Sequence, residues 1–424
     1  MATGGLRNAT LALGHRDFRI VWIAALIGNT GGWMQNAGLP YVVFKLTGTN
    51  GGVGSTGFFQ YIPIMLAGAL GGWMADQFNR KRVLVVTQVA LACLGALLWL
   101  MVSQGWATPG RLSAVAFAVG LVSGINIPIW QSFISQLVPR ELMMNAVTLN
   151  STQFNAARAL GTFGAGIIIA LTGPSVVFAI NAVSFVAVLW ALARVPDRQA
   201  GQPRKALTNP FTELAVGARF VWHTPAIRSC CIAIFAVAGL GNPLFSFLPA
   251  SYGQEIFGVT GWRLGLLMGA GGLGALVSAP LILSRGSTLS RRKLLTVAMT
   301  LYGLATIAVG LAPHWAMAVA GLSLYGGSYL AIASALNTTI QLSARDDLRG
   351  KALAIYLMFL TGALPVGLVV WGFAADEWGI RTVTVCAGSL LLVATVFMRL
   401  SGTFERMRLP DETPPLVAVQ GSQE

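Results

Sequence analysis

GALGGWMADQFNRKR, residues Gly68–Arg82, separates two long apolar runs of the chain. The first run stops at Asp76, the chain turns over Gln77–Asn79, and the three cations Arg80–Arg82 lead into the second run. A short loop that keeps its positive charges between two apolar runs is typical of a chain that leaves a membrane and re-enters it. This stretch therefore predicts two transmembrane helices joined on one side of the membrane.

The composition extends this prediction to the whole chain. Of its 424 residues, 55% are hydrophobic and only 10% are charged, which excludes a soluble globular domain. Open sheet edges cannot face lipid, so the spans must be helices. We predict an all-α polytopic membrane protein with twelve transmembrane helices, some of them bent by residues such as Gly241 and Pro243 in the seventh. The expected ranges are 18–44, 53–75, 83–103, 111–138, 147–171, 175–193, 227–252, 263–284, 294–312, 315–341, 352–375 and 381–400.

The positions of the basic residues predict the orientation of these helices. Lys45, Arg111, Arg263 and Arg381 fall in or beside the loops of one side, Arg158 falls within a span, and the other 23 of the 28 bases fall on the opposite side. Positive residues concentrate in cytoplasmic loops, so both termini are expected in the cytoplasm. Topology thus explains the net charge of +14, and we expect no nucleic-acid partner.

The two halves of the chain resemble each other at an offset of about 205–211 residues. Gln136-Leu137 is echoed by Gln341-Leu342, and Arg80–Arg82 is echoed by Arg291–Lys293. An even number of spans in each half makes such repeats parallel, related by an axis along the membrane normal. The expected domains are an N-terminal six-helix bundle over 1–193, a cytoplasmic linker with a surface helix over 194–226, a C-terminal six-helix bundle over 227–400 and a mobile cytoplasmic tail over 401–424.

Five residues of the loop between the second and third spans carry a family resemblance. Gly72, Asp76, Asn79, Arg80 and Lys81 resemble the signature found at this loop in the major facilitator superfamily. The superfamily usually has Gly where this chain has Asn79, a residue that also suits a left-handed turn. The resemblance implies two pseudo-symmetric six-helix bundles, the major facilitator fold, with substrate bound between the halves.

Longer segments narrow the resemblance to one bacterial branch. Arg16–Arg19, Val138–Arg140, Asn155–Gly161 and Leu348–Lys351 are similar to the branch that contains the enterobactin exporter and macrolide efflux proteins. This similarity covers nearly the whole chain and implies efflux of a small organic molecule, either a siderophore-like metabolite or a drug. Many exporters of this kind have Pro at the position of Thr162, so the bend that Pro provides is not assured here.

The resemblance also implies a gate. In the superfamily the loop Asp meets the start of helix eleven, where unpaired N–H groups and the helix macrodipole favour an anion. Asp76 would then latch the cytoplasmic face while the cavity opens outward; the alternative is a solvated loop charge that contributes little. The expected gating residues are Gly72, Asp76, Arg80, Lys81, Arg349 and Gly350.

Polar side chains inside the spans predict the substrate cavity, because a polar group in lipid costs free energy and needs a reason. Asn29, Trp33 and Asn36, for example, share one face of span one. Helices one, four, seven and ten line the cavity in the superfamily. The alternative for each residue is an interhelical hydrogen bond that only holds the bundle together. The predicted cavity residues are Asn29, Trp33, Asn36, Asn126, Trp130, Thr152, Asn155, Arg158, Asn242, Tyr325, Tyr329 and Asn337.

Arg158 is the one formal charge near mid-membrane, and Thr152, Asn155 and Thr162 share its helical face. An arginine at that depth costs about 2.5–3.5 kcal/mol on insertion scales, so it should face a wet cavity or dense hydrogen bonding. Its planar fork suits a carboxylate, phosphate or catecholate of a substrate. The alternative is that Arg158 bonds helix-end carbonyls or asparagines and holds the bundle in one state.

The spans show no Asp, Glu or Lys near mid-membrane, so no buried carboxylate relay for protons is visible. Protons remain a candidate coupling ion through a boundary carboxylate such as Asp76 or Glu255, and diffusion without coupling remains open. The four cysteines all fall in apolar spans, so we expect no disulfide, no metal site and no cofactor.

Other classes of protein fit the sequence less well. An intramembrane enzyme needs a nucleophile, base or metal set inside the bilayer, and the spans show no such set. A lipid or metabolite uniporter, or a non-transporting sensor or scaffold, would keep the same fold. We expect a non-enzymatic secondary active transporter for a small molecule, monomeric in the lipid bilayer of the bacterial inner membrane.

Overall fold

The computed structural model describes residues 11–197, 210–246, 251–285, 290–345 and 348–407, and within these ranges the chain is helical with short connections. The long helices are named α1 to α12 in chain order. They are α1 Arg16–Thr47, α2 Asn50–Gln77, α3 Arg80–Ser103, α4 Pro109–Ile134, α5 Met143–Thr172, α6 Ser175–Arg194, α7 Pro225–Leu240, α8 Gly261–Arg285, α9 Arg291–Leu311, α10 Trp315–Ser343, α11 Arg349–Trp378 and α12 Ile380–Leu400.

A shorter helix, Pro210–His223, precedes α7 at the position where the sequence predicts a surface helix. It packs on the start of α11, where a Cβ at Gly217 would lie 3.1 Å from the Cβ of Lys351. The rest of the predicted linker, residues 198–209, and the tail after Met407 lie outside the described residues.

Most of the long helices meet the requirements of a membrane span. Ten of the described helices are long and apolar enough, and the count is eleven if α2, bent between Gly68 and Leu70, is one span. α1 is not among these helices. Its 32 residues extend about 48 Å, more than the ~30 Å thickness of the hydrocarbon core. Its Asn and Gln side chains, however, lower its mean hydropathy. The prediction of an all-α polytopic membrane protein is confirmed.

The loop signature adopts a different backbone from the one expected. The side-chain oxygen of Asn79 accepts a hydrogen bond from the N–H of Arg82 at 3.0 Å and so caps α3. Asn79 itself is extended, with φ −65° and ψ 112°, so the expectation of a left-handed turn is wrong. An N-cap residue needs extended backbone, and Asn fills that role as readily as a left-handed position.

The seventh span is broken, whereas the sequence predicts one run over 227–252. α7 ends at Leu240, and a short helical turn, Asn242–Ser246, continues it. Pro243 lacks the N–H that would bond the carbonyl of Gly239, and its ring excludes that carbonyl from a regular helix. The indole of Trp371 on α11 donates to the Gly239 carbonyl instead, at 3.0 Å.

Helix packing repeats itself between the two halves. In the first half α1 packs on α5 and α6, α2 on α4, and α3 on α6; in the second, α7 packs on α11 and α12, α8 on α10, and α9 on α12. The two halves meet where α2 packs on α11 and where α5 packs on α8. A shift of six helices converts α2 into α8 and α5 into α11, so the two pairs are equivalent. Two pseudo-symmetric six-helix bundles therefore face each other across these two helix pairs.

The two ends of the molecule are named by residues of α2 and α3. The Asn50 end carries the start of α2 and the end of α11, and the Arg80 end carries the start of α3. Toward the Asn50 end, α5 and α8 touch through their backbones, since a side chain at Gly166 would overlap the backbone of Gly265. Near the middle of α5 a Cβ at Gly272 would lie 2.9 Å from the Cα of Ala159.

Candidate substrate-binding site

Arg158 of α5 lies against Trp33 of α1. The guanidinium carbon is 5.6 Å from the centroid of the Trp33 ring, a cation–π distance, and Phe154 meets the same ring edge-on at 5.6 Å. Gly161, one turn further along α5, permits this approach, because a Cβ there would lie 2.5 Å from the carbonyl oxygen of Thr30. Two residues that the sequence assigns separately to the cavity thus form one charged, aromatic surface.

Three tyrosines of the second half form a cluster, defined as Tyr302 of α9 with Tyr325 and Tyr329 of α10. The ring centroids of Tyr302 and Tyr325 are 4.6 Å apart, and those of Tyr325 and Tyr329 are 6.5 Å apart. Asn242, beside the break in α7, accepts hydrogen bonds from the hydroxyls of Tyr302 at 3.1 Å and Tyr325 at 2.7 Å. Asn242 and Tyr325 are buried, and Tyr329 keeps part of its surface accessible.

The charge of Arg158 acts on both halves of the molecule. Its guanidinium lies within electrostatic range of the hydroxyls of Tyr61 on α2 and of Tyr302 and Tyr325 in the tyrosine cluster. Among the described residues no carboxylate forms an ion pair with Arg158. The first half therefore presents a cation to the aromatic, hydroxyl-bearing face of the second half.

Amide pairs tie α1 to its neighbours within the first half. The pairs are Asn29–Gln153 at 3.2 Å, Asn36–Gln60 at 2.8 Å and Gln35–Asn181 at 2.7 Å. Asn29 and Asn36 are predicted cavity residues, and the structure joins them to α5 and α2. Their partners Gln153 and Gln60 are not predicted from the sequence, although a glutamine within an apolar span indicates a buried polar contact.

The other predicted cavity residues make contacts within the bundles. Asn126 of α4 accepts hydrogen bonds from Thr87 at 2.8 Å and Gln88 at 3.4 Å, both on α3. Thr152 and Asn155 donate to carbonyls of their own helix. Asn337 accepts a hydrogen bond from Gln341, and the Trp130 ring lies 6.5 Å from that of Phe133. Their place in the cavity stays a prediction.

At the Arg80 end, the two bases of the loop signature bind the ends of helices. Arg80 donates to the carbonyl of Ala75 at 2.9 Å and lies 3.8 Å from Asp76, while Lys81 donates to the carbonyl of Val195, next to the end of α6, at 2.7 Å. Carbonyls at a helix C-terminus lack intrahelical partners and carry the negative end of the macrodipole. These bases therefore stabilise the ends of α2 and α6.

The remaining gating residues belong to α2 and α11. Gly72 on α2 and Gly350 on α11 have open space where a Cβ would stand. Arg349 is the first residue of α11, and Asp76 is half-exposed at the end of α2. The gating role of Asp76 stays a prediction.

Comparison with known proteins agrees with this architecture. Residues 8–414 match the transmembrane secretion effector family of the major facilitator superfamily. The chain is 25% identical to the multidrug efflux pump Tap of Mycolicibacterium fortuitum over 89% of this chain and 95% of that protein. It is 24% identical to the enterobactin exporter EntS of Citrobacter koseri over 96% of this chain and 97% of that exporter.

A bacterial homologue of the human lysosomal transporter Spinster superposes with a TM-score of 0.74 at 14% identity, over 92% of this chain and 97% of that one. At this identity the likeness concerns the fold alone. The family of the chain is shown by the match over residues 8–414. The chain belongs to the transmembrane secretion effector family of the major facilitator superfamily and is a multi-pass membrane transporter.

Proposed function

We propose that the chain exports a small organic molecule with an anionic or hydroxyl-rich group, by alternating access. The single observation that carries this proposal is Arg158, which lies over Trp33 and has no carboxylate partner among the described residues. A guanidinium near the junction of the halves offers a bidentate donor to an anion that enters between them. The names of the relatives, a multidrug efflux pump and an enterobactin exporter, support the outward direction.

The aromatic residues around Arg158 supply the rest of the proposed site. Trp33 and Phe154 offer an apolar face on one side, and the accessible part of Tyr329 offers a ring and a hydroxyl on the other. Aromatic faces bind flat or apolar substrate groups, while hydroxyls accept and donate hydrogen bonds. A substrate that combines an anion with an aromatic body, such as a siderophore-like catecholate or an acidic drug, fits both requirements.

The transporter is proposed to work as a monomer in the bacterial inner membrane, with bundles over 1–193 and 227–400 and with no enzymatic activity. Five bases fall outside the cytoplasmic set. Four of them lie at the Asn50 end, namely Lys45, Arg111, Arg263 and Arg381. The Arg80 end carries the other short-loop bases and is assigned to the cytoplasm. Any coupling proton would bind a boundary carboxylate such as Asp76 or Glu255, since none lies at the depth of Arg158 among the described residues.

Single cysteines test this orientation. Thr49→Cys, at the Asn50 end, is expected to react with an impermeant thiol reagent in intact cells, whereas Gly201→Cys and Ser422→Cys are expected to react only after the membrane is permeabilised. The four native cysteines are first replaced. Labelling of Gly201→Cys in intact cells would reverse the assignment.

A second variant tests the gate at the Arg80 end. Asp76→Asn is expected to lower the transport rate several-fold and to raise the labelling of cavity cysteines from the cytoplasmic side, because a neutral amide caps the start of α11 more weakly than a carboxylate. Glu141→Gln, an exposed acid between α4 and α5, is the matched control. If Asp76→Asn behaves like this control, the carboxylate is an ordinary surface charge.

A further inference from the structure

We propose that Asp376 and Glu255 form a second latch, which holds the Asn50 end closed while the substrate pathway opens at the Arg80 end. This inference rests on the proposed alternating access and names the residues that close its outer side. Both carboxylates belong to the second half, and both contact the first turn of α2 in the first half. Each outward opening would then require these contacts to break.

Asp376, in the last turn of α11, accepts hydrogen bonds from two backbone N–H groups of α2. Its carboxylate oxygens lie 2.6 Å from the nitrogen of Asn50 and 2.8 Å from the nitrogen of Gly51. The first N–H groups of a helix have no intrahelical partner, and the macrodipole there favours a negative charge. The side-chain hydroxyl of Thr49, the local cap, accepts a hydrogen bond from the N–H of Gly52 at 3.2 Å. The start of α2 is therefore fully capped when the two halves meet.

Glu255 reaches the same residue from another element. It lies in the turn Tyr252–Ile256, which precedes α8, and its carboxylate accepts a hydrogen bond from the side-chain amide of Asn50 at 3.3 Å. Asn50 is only 3% exposed, so this amide needs a partner when the end is closed. One residue of the first half is thus held by two acidic residues from separate elements of the second half.

Glycines bring the backbones of α2 and α11 into direct contact at this end. A side chain at Gly54 would overlap the carbonyl oxygen of Leu368, and a Cβ at Gly372 would lie 2.8 Å from the carbonyl oxygen of Asn50. Apolar side chains of both helices, among them Val53 and Leu368, are buried in one hydrophobic cluster beside this contact. Asp376 and Glu255 add polar contacts to this apolar packing, and we expect their loss to weaken closure.

The same two helices carry the same short pattern at opposite ends. α2 ends with Gly72–Asp76, GWMAD, and α11 ends with Gly372–Asp376, GFAAD. α2 and α11 run antiparallel, so each helix ends at the end of the molecule where the other begins. The structure shows the Asp376 cap made on α2, and the gate predicted for Asp76 is its counterpart on α11. Two caps on one helix pair would give each end of the pathway its own latch.

The test measures opening of the Asn50 end without any substrate. Spin labels are attached at Leu46→Cys on α1 and Trp378→Cys on α11, both exposed, in full-length protein that lacks its native cysteines and is reconstituted in nanodiscs. Double electron–electron resonance then gives the fractions of closed and open molecules. Loss of a helix cap of this kind is expected to shift their ratio roughly 2- to 30-fold toward open.

Asp376→Ala is expected to give the full shift in the ratio of open to closed molecules. Asp376→Asn keeps one acceptor oxygen and is expected to give a smaller shift. Glu255→Gln gives an independent shift in the same direction should Asp376→Ala fail to fold. Glu377→Gln, the neighbouring exposed acid, is expected to match the wild type. Distance distributions that are unchanged in Asp376→Ala and Glu255→Gln, or shifted equally in Glu377→Gln, overturn the latch. Because no substrate is present, these outcomes do not depend on whether the exported molecule is an anion.

Discussion

Arg158→Gln is expected to lower the affinity for an anionic substrate by roughly 10- to 100-fold, the effect of losing a charge-assisted hydrogen-bond pair. Glutamine keeps a hydrogen-bond donor but has neither the charge nor the fork. Arg158→Lys keeps the charge and should lose less, because an ammonium over Trp33 still attracts the anion but cannot bind it bidentately. Equilibrium binding of a labelled substrate to purified protein measures both effects.

The matched control is Arg111→Gln, which removes an exposed arginine at the start of α4. It should bind substrate with wild-type affinity. Size-exclusion profiles establish that each variant is folded before binding is compared. If both Arg158 variants are folded and bind with wild-type affinity, Arg158 instead holds the bundle in one state and the substrate site lies elsewhere.

Gly326→Val is expected to prevent the second half from folding. α8 and α10 cross so closely that a Cβ at Gly326 would overlap the carbonyl oxygen of Gly271, and a Cβ at Gly274 would overlap that of Ser323. Overpacking of side chains usually costs about 1–3 kcal/mol, and a clash against backbone cannot be relieved by a rotamer change, so the cost should exceed that range. Thermal stability in detergent and the yield of monodisperse protein report the loss.

Gly32→Val on α1 is the control for this variant, because nothing lies within 4 Å of the Cβ position at Gly32. Its yield and thermal midpoint should stay close to those of the wild type. A folded Gly326→Val protein with an unchanged midpoint would show that α8 and α10 are further apart than described.

The long helices followed from the sequence because hydrophobic runs of membrane length have few alternative structures. The sequence identifies Gly241 and Pro243 as bending residues but does not show where α7 ends. Where such a helix stops depends on a partner: Trp371, far away in sequence, takes the carbonyl that Pro243 leaves free. Local sequence contains no information about that contact.

The candidate site was predicted in part. Trp33 and Arg158 were both assigned to the cavity, but their contact depends on how closely α1 and α5 approach at Gly161. Tyr302 was missed because helix nine does not line the cavity in the superfamily, yet its hydroxyl reaches Asn242.

Asp376 shows a further limit of pattern reading. The sequence GFAAD repeats the shape of GWMAD, but a five-residue pattern recurs by chance and lacks the following bases here. Its importance comes from the start of α2, which lies against it only in the folded chain. Asp376 and Glu377 are neighbouring acidic residues, so the polarity of the sequence does not indicate which of the two carboxylates caps α2.

Export through the Arg158 site is tested most directly in inside-out membrane vesicles. The compound to label is the one that cells lacking this chain retain relative to wild-type cells. Vesicles with the wild-type protein are predicted to accumulate the labelled compound, and vesicles with Arg158→Gln or without the protein are predicted not to. Equal accumulation in all three kinds of vesicle would contradict export by this chain.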